Sequence, residues 1–165
     1  MGFATGPTNI SPPEHMTIRI AHLDVADHDA WLILARGYKA FYQTETSDAE
    51  YAIAWRRLLT DDGIHAFGAW VDGRLVGISH YLFHTGTWTQ TVCYLQDLYV
   101  NPASRGKGVA RALIDAVAAS ARTRRAARMY WLTQAHNATA RKLYDTMAEH
   151  RGFIRYDFPM DEPSA

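Results

Sequence analysis

Leu95-Gln96-Asp97-Leu98-Tyr99-Val100-Asn101-Pro102-Ala103-Ser104-Arg105-Gly106-Lys107-Gly108-Val109-Ala110-Arg111-Ala112-Leu113-Ile114 is the stretch that decides the fold. Its apolar first half reads as a β-strand that feeds a basic, glycine-bearing turn and opens into an amphipathic helix over residues 106–122. Val109, Ala112, Leu113, Ala116, Val117 and Ser120 share one helical face, and the cations of residues 122–125 close the end as a solvated terminus. Glycines at 106 and 108 remove side chains that would hold a ligand off the backbone. The first amides of a helix lack intrahelical partners and point outward as anion donors, so the turn is built to hold a pyrophosphate, with Arg105, Lys107 and Arg111 adding positive charge.

A glycine turn before a helix also occurs simply to join two elements, so the spacing carries the reading. Neither the dinucleotide fingerprint nor a Walker loop can be laid on these residues. A second block follows. Residues 128–133 read as a strand, and Asn137 is a good cap for a helix whose Ala140, Leu143, Tyr144 and Met147 recur at i, i+3, i+4 and i+7.

Arg105-x-x-Gly108-x-Ala110 resembles the acetyl-CoA signature (Gln/Arg)-x-x-Gly-x-(Gly/Ala) of the GCN5-related N-acetyltransferase family, and Asn137-x-x-Ala140-x-x-x-Tyr144 resembles its later Asn-x-x-Ala-x-x-x-Tyr pattern. The run 94–100 is closest to the branch of polyamine and yeast histone-and-polyamine acetyltransferases. The resemblance spans residues 17–158 in order of elements, with specific motifs over 95–147. It implies acetyl-CoA as cosubstrate and no metal, and an acetyl group passed to a primary amine by direct attack in a ternary complex. It further implies that Leu98, Tyr99 and Val100 pair with the pantetheine arm, and that one of their backbone amides meets the thioester oxygen. Arg105, Gly106, Lys107, Gly108, Val109, Ala110 and Arg111 would hold the pyrophosphate, Asn137 and Ala140 the arm, and Tyr144 would protonate the leaving thiolate. Without the motifs, Tyr144 is a core tyrosine.

The sequence departs from the polyamine branch at one place. That branch has a glutamate nine residues before the motif arginine, and here the position is Gln96, which cannot accept a proton. Asp97 is adjacent, but strand alternation sends it to the opposite face unless a bulge intervenes, so it is either catalytic or structural. Glu45, His80, His84 and His136 are the remaining candidates for relaying a proton through water. His80 and His84 share a strand face, yet no third ligand is placed by spacing to make a metal site. Substrate is expected over Gln96 and Trp131, with residues 43–48 as a lid carrying Glu45 and Asp48, and with Tyr38, Tyr42, Tyr81 and Trp88 as lining or core.

The remaining elements follow from pattern. Residues 17–20 form a short strand, and 26–42 and 47–60 form helices, the second opened by Ser47 with Glu50 three residues later. Residues 64–71 and 75–83 are strands joined at Asp72-Gly73, 92–100 is a strand, and 153–158 a last strand. The order β-α-α-β-β-β-α-β-α-β predicts an α/β (α+β) fold, a central mixed, mostly antiparallel sheet flanked by helices.

The 165 residues suit an irregular leader over 1–15 and one N-acetyltransferase domain over 16–160. Lys+Arg 17 against Asp+Glu 17 leaves no net charge, which argues against a nucleic-acid partner. The single Cys93, read as a buried hydrophobe, fits a reducing cytoplasm, and no long apolar segment marks a membrane partner. A homodimer is expected. Three functional readings stay open: acetylation of a small amine, acetylation of protein lysines or N-termini, and a non-catalytic acyl-CoA sensor that keeps the cradle but lacks a base.

Overall fold

The computed structural model describes residues 16–60 and 62–160, so the leader expected over 1–15 lies outside the described residues. They fall into two compact units divided after Trp131. The first contains β1 (Ile18–His22), α1 (His28–Phe41), α2 (Asp48–Leu59), β2 (Ile64–Val71), β3 (Arg74–His84), β4 (Val92–Val100), α3 (Val109–Thr123) and β5 (Met129–Tyr130). The second contains α4 (Ala138–Tyr144).

The five strands lie in the order β1-β2-β3-β4-β5; the first three pairings run down an antiparallel meander and β5 joins β4 in parallel. Local chemistry sets the joints. Asp72 and Gly73 both take positive φ, +50° and +76°, in the two-residue turn between Val71 and Arg74, the geometry whose twist matches a hairpin. At α2 the Ser47 backbone amide donates to Glu50 while the Glu50 amide donates to the Ser47 hydroxyl, closing the capping box.

Helices cover both faces. On one, Trp31, Leu34 and Ala35 of α1 and Tyr51 and Trp55 of α2 pack with Ile78 of β3. On the other, Val109 and Leu113 of α3 pack with Ala69 and Val100. Gly77 allows this second contact to be close, because a Cβ there would stand 3.1 Å from side-chain carbons of both Leu113 and Val109. No helix among the described residues is long and apolar enough to cross a membrane.

Three expected elements differ. The helix predicted from residue 106 starts at Val109, because Gly106 and Gly108 adopt left-handed conformations (φ +74° and +83°) that a helix cannot include. The strand expected over 128–133 shrinks to Met129–Tyr130, since its ladder with β4 ends at Tyr94. The strand expected over 153–158 does not form. Its alternating apolar residues Ile154, Tyr156 and Phe158 are exposed, and among the described residues no strand pairs with them, without which the backbone groups have no ladder to join.

Ser79 is fully buried on β3, flanked on its face by Gly77 and by Tyr81, whose hydroxyl bonds Ser120 of α3, and the Ser79 hydroxyl has no hydrogen-bond partner among the described residues. Ser79→Ala removes that desolvated group for the loss of one atom. It is expected to raise stability by about 1 kcal/mol, read as a higher urea midpoint at unchanged m-value.

Candidate active site

The site begins with a register break in β4. Leu98 pairs with Ser79 and Asp97 with His80, but Tyr81 pairs with Leu95, so Gln96 opposes no residue of β3. One extra residue reverses the alternation. Leu95 stays in the core opposite Tyr81, Gln96 is exposed, and Asp97 turns to the face occupied by His80 and α1.

There Asp97 enters a chain of hydrogen bonds. The indole N–H of Trp31 donates to His80 Nε2 at 3.0 Å. An indole nitrogen can only donate, so Nε2 carries the lone pair and the ring proton sits on Nδ1, which donates to Asp97 Oδ2 at 2.9 Å. The Tyr38 hydroxyl bonds the same carboxylate. Burial pushes the Asp97 carboxyl up, but His80, Tyr38 and the Lys39 charge outweigh it and hold the group below its ordinary value. Burial, and then Asp97 itself, push the Tyr38 hydroxyl far up, so it stays a donor. The side chains of His80 and Asp97 are 12% and 21% exposed, so the imidazole is nearly enclosed while part of the carboxylate reaches solvent. Tyr42, whose hydroxyl is also pushed up by burial and Asp97, meets Tyr38 edge-on at 5.0 Å.

The second component lies farther along β4. The ladder to β5 consists of Cys93↔Met129 and Tyr94↔Tyr130; among the described residues no strand pairs with that edge over 95–100, so Leu98, Tyr99 and Val100 present backbone there. Trp131, half-buried, follows the last paired residue. A Cβ at Gly37 would overlap the Tyr99 ring, so the Tyr99 side chain is packed against α1.

After β4 comes a 3-10 turn at Pro102–Ser104, capped by the Asn101 side chain, and then the glycine turn. Arg105 folds back, its Nε donating to the Val100 carbonyl at 3.0 Å and its guanidinium 5.7 Å from the Tyr99 ring centroid. Lys107 and Arg111 are exposed. The first bond of α3 runs from the Ala112 amide to the Gly108 carbonyl, and Gly108 has no side chain with which to cap the amides of Val109 and Ala110.

In the second unit, the Asn137 side chain accepts from the Ala140 amide and donates to Thr133 Oγ1 at 3.2 Å. Ala140, Leu143, Tyr144 and Met147 are half-buried between exposed neighbours, as the helical spacing predicts, although Met147 lies beyond the end of α4.

Several other candidates are committed elsewhere by geometry. His80 has both ring nitrogens committed and is no free base. His84 is spent on the Tyr130 hydroxyl and the Thr85 carbonyl, so it forms no pair with His80; among the described residues no three ligand side chains gather round a metal. Tyr81 is core rather than lining, stacked on Phe67, and Trp88 is 95% exposed at the β3–β4 connection. Asp48 is paired to Arg36 at 2.8 Å, while Glu45 and His136 are exposed. Burial raises the Cys93 thiol to about 11, in keeping with an inert side chain. Trp31 carried no functional signal in the sequence: it lies 49 positions from His80, and only the packing of α1 on β3 joins them.

Residues 28–148 match the model of the acetyltransferase (GNAT) family, and the chain belongs to that family. It is an acetyltransferase of the GNAT type. Among its relatives is the D-amino-acid N-acetyltransferase HPA3 of Saccharomyces cerevisiae, 31% identical over 152 residues, which cover 87% of this chain and 94% of that protein. Thialysine N-epsilon-acetyltransferase of Caenorhabditis elegans is 28% identical over 73% of this chain and 76% of its own. A crystal structure of ribosomal-protein-alanine N-acetyltransferase from Brucella melitensis superposes with a TM-score of 0.73 at 27% identity, covering 87% of this chain and all (100%) of that one.

The lowered carboxyl of Asp97 carries a stability prediction. A group whose folded pKa lies below its unfolded value, about 3.9 for aspartate, contributes stability above that value and loses it as pH falls through the folded pKa. Asp97→Asn is therefore expected to be less stable at neutral pH and to lose stability less steeply below about pH 4. Urea midpoints measured across the acid range check this.

Proposed function

We propose that this chain is an acetyl-CoA-dependent N-acetyltransferase acting on the primary amine of a small molecule, such as a polyamine or an amino acid, by direct attack in a ternary complex. The observation that carries the reading is the continuity of an open strand edge at Leu98–Val100 with a left-handed glycine turn and an uncapped helix start. The donor set suits a nucleotide thioester. The edge offers backbone pairing to an extended amide-bearing arm, and the turn offers amides, unobstructed backbone at Gly106 and Gly108, and the positive side chains of Lys107 and Arg111 to a pyrophosphate.

Bound acetyl-CoA supplies the acetyl group as an activated thioester. The chain's own residues do the rest. An amide within Leu98–Val100 polarises the thioester oxygen, a contribution that backbone donors make at about 3 kcal/mol. Asp97 offers an anionic carboxylate next to the Gln96 position, which suits a cationic amine. Gln96, Trp131 and Glu45 contact the amine, Asn137 and Ala140 border the arm, and Tyr144 gives a proton to the departing thiolate.

The names of the yeast and nematode relatives, which act on D-amino acids and on thialysine, support a small amine. A second reading, acetylation of a protein N-terminus, draws on the ribosomal-protein-alanine enzyme.

The test is CoA release across polyamines, amino acids of both hands, aminoglycosides and an N-terminal peptide. At least one amine is expected to turn over. Tyr144→Phe should lose roughly 100-fold in rate with acetyl-CoA affinity kept. Tight binding with no release for any amine would support the sensor. Gly108→Glu, which adds a charged side chain at φ +83°, should abolish acetyl-CoA binding in a titration; normal binding would overturn the pyrophosphate assignment.

A further inference from the structure

The Trp31–His80–Asp97 chain is doing something the motifs do not account for. Trp31 is 1% exposed and His80 nearly enclosed, so neither is placed to touch a substrate, whereas the Asp97 carboxylate at the end of the chain is partly accessible. Each link fixes the next. The Trp31 indole has one proton to give and gives it to Nε2, which leaves Nδ1–H as the ring's single donor, and that donor is aimed at Oδ2 of Asp97. A buried carboxylate that accepts such bonds is oriented as well as kept ionised.

Resting on the transferase reading above, we infer that His80 is a positioning residue: with Trp31 fixing its tautomer, it holds one oxygen of Asp97 so that the carboxylate stands as a permanent anion facing the cationic amine of the substrate. The arrangement replaces the carboxylate missing at position 96. It also assigns the substrate class, an amine that carries positive charge where it meets the protein. A carboxyl held below its ordinary value is a weak base, so Asp97 anchors the cationic amine without keeping its proton, which passes to solvent before the neutral nitrogen attacks. The groups facing Asp97 are His80 from β3, Tyr38 and Lys39 from α1 and Tyr42 just past its end, with Tyr94 of β4 beside Tyr38. Of these, His80 is the one whose ring nitrogen is fixed from behind by a second donor.

Two variants separate positioning from simple packing. His80→Leu keeps bulk but loses the donor. His80→Asn places an amide N–H near the position of Nδ1 and loses the acceptor for Trp31. Carbon-13 carboxyl titration of full-length protein is expected to show the Asp97 transition about one pH unit higher in His80→Leu and returned toward the wild-type value in His80→Asn. Nitrogen-15 shifts of the wild-type His80 ring should report the Nδ1–H tautomer. In steady-state assays with the best amine of the panel, His80→Leu should raise KM about tenfold with a smaller change in kcat, and His80→Asn should recover most of it. An unchanged Asp97 titration in His80→Leu, an Nε2–H tautomer, or equal impairment of the two variants overturns the assignment. The spectroscopic readouts need no turnover, so absence of CoA release would count against the transferase reading alone, while the titration still decides the role of His80.

Discussion

The extra residue that β4 carries at Gln96 is the constraint on which the rest of the site depends. A strand's side chains alternate, so one unpaired residue exchanges the faces of everything beyond it. Here it lets Leu95 remain in the core opposite Tyr81 while Asp97, two positions on, meets His80 on the other face. The bulge lies two residues beyond Tyr94, where, among the described residues, the β4–β5 ladder ends. A bulged strand bends and twists, and this places an open backbone edge and an ionised carboxylate on one short stretch of chain.

Close packing holds this arrangement in place. Gly37 lets α1 press against the Tyr99 ring, and Gly77 lets α3 press against the sheet from the other side, so β4 is gripped between helices along the part that, among the described residues, is paired by β3 alone. Arg105 reinforces the end of the strand by donating to the Val100 carbonyl and lying beside Tyr99. Its charge is therefore partly spent as a strut, although Arg105, like Lys107 and Arg111, remains exposed along the turn and first helical turn.

In the reading proposed above, the polar chain from Trp31 to Asp97 compensates at a distance for a departure from the pattern of the polyamine branch. Losing a carboxylate at position 96 removes a charge from the expected place. The neighbouring carboxylate is usable because burial, which alone would favour its neutral form, is outweighed by donors from His80 and Tyr38. Those donors come from β3 and α1, and each must be correctly turned, which is why a buried indole contributes to a site it does not border.

Much of this was legible in the sequence, because it rests on interactions within a few residues. The Asp72-Gly73 turn, the Ser47–Glu50 capping box, the limits of β2 and β4 and the apolar face of α3 are local or periodic, and they appear where the pattern puts them. The glycine turn was legible for the same reason, being a matter of which backbone conformations residues 106–108 can adopt. What the pattern misplaced was non-local. Residues 153–158 alternate like a strand, but a ladder needs a partner edge that the segment's own residues cannot supply. Residues 128–133 likewise form only as much strand as β4 will pair with. The sequence by itself therefore determined the family, the order of elements as far as α4 and the left-handed glycine turn. Tertiary structure alone decided which face Asp97 occupies and which tautomer His80 holds, because both follow from the β3–β4 register and from a contact between residues 49 positions apart.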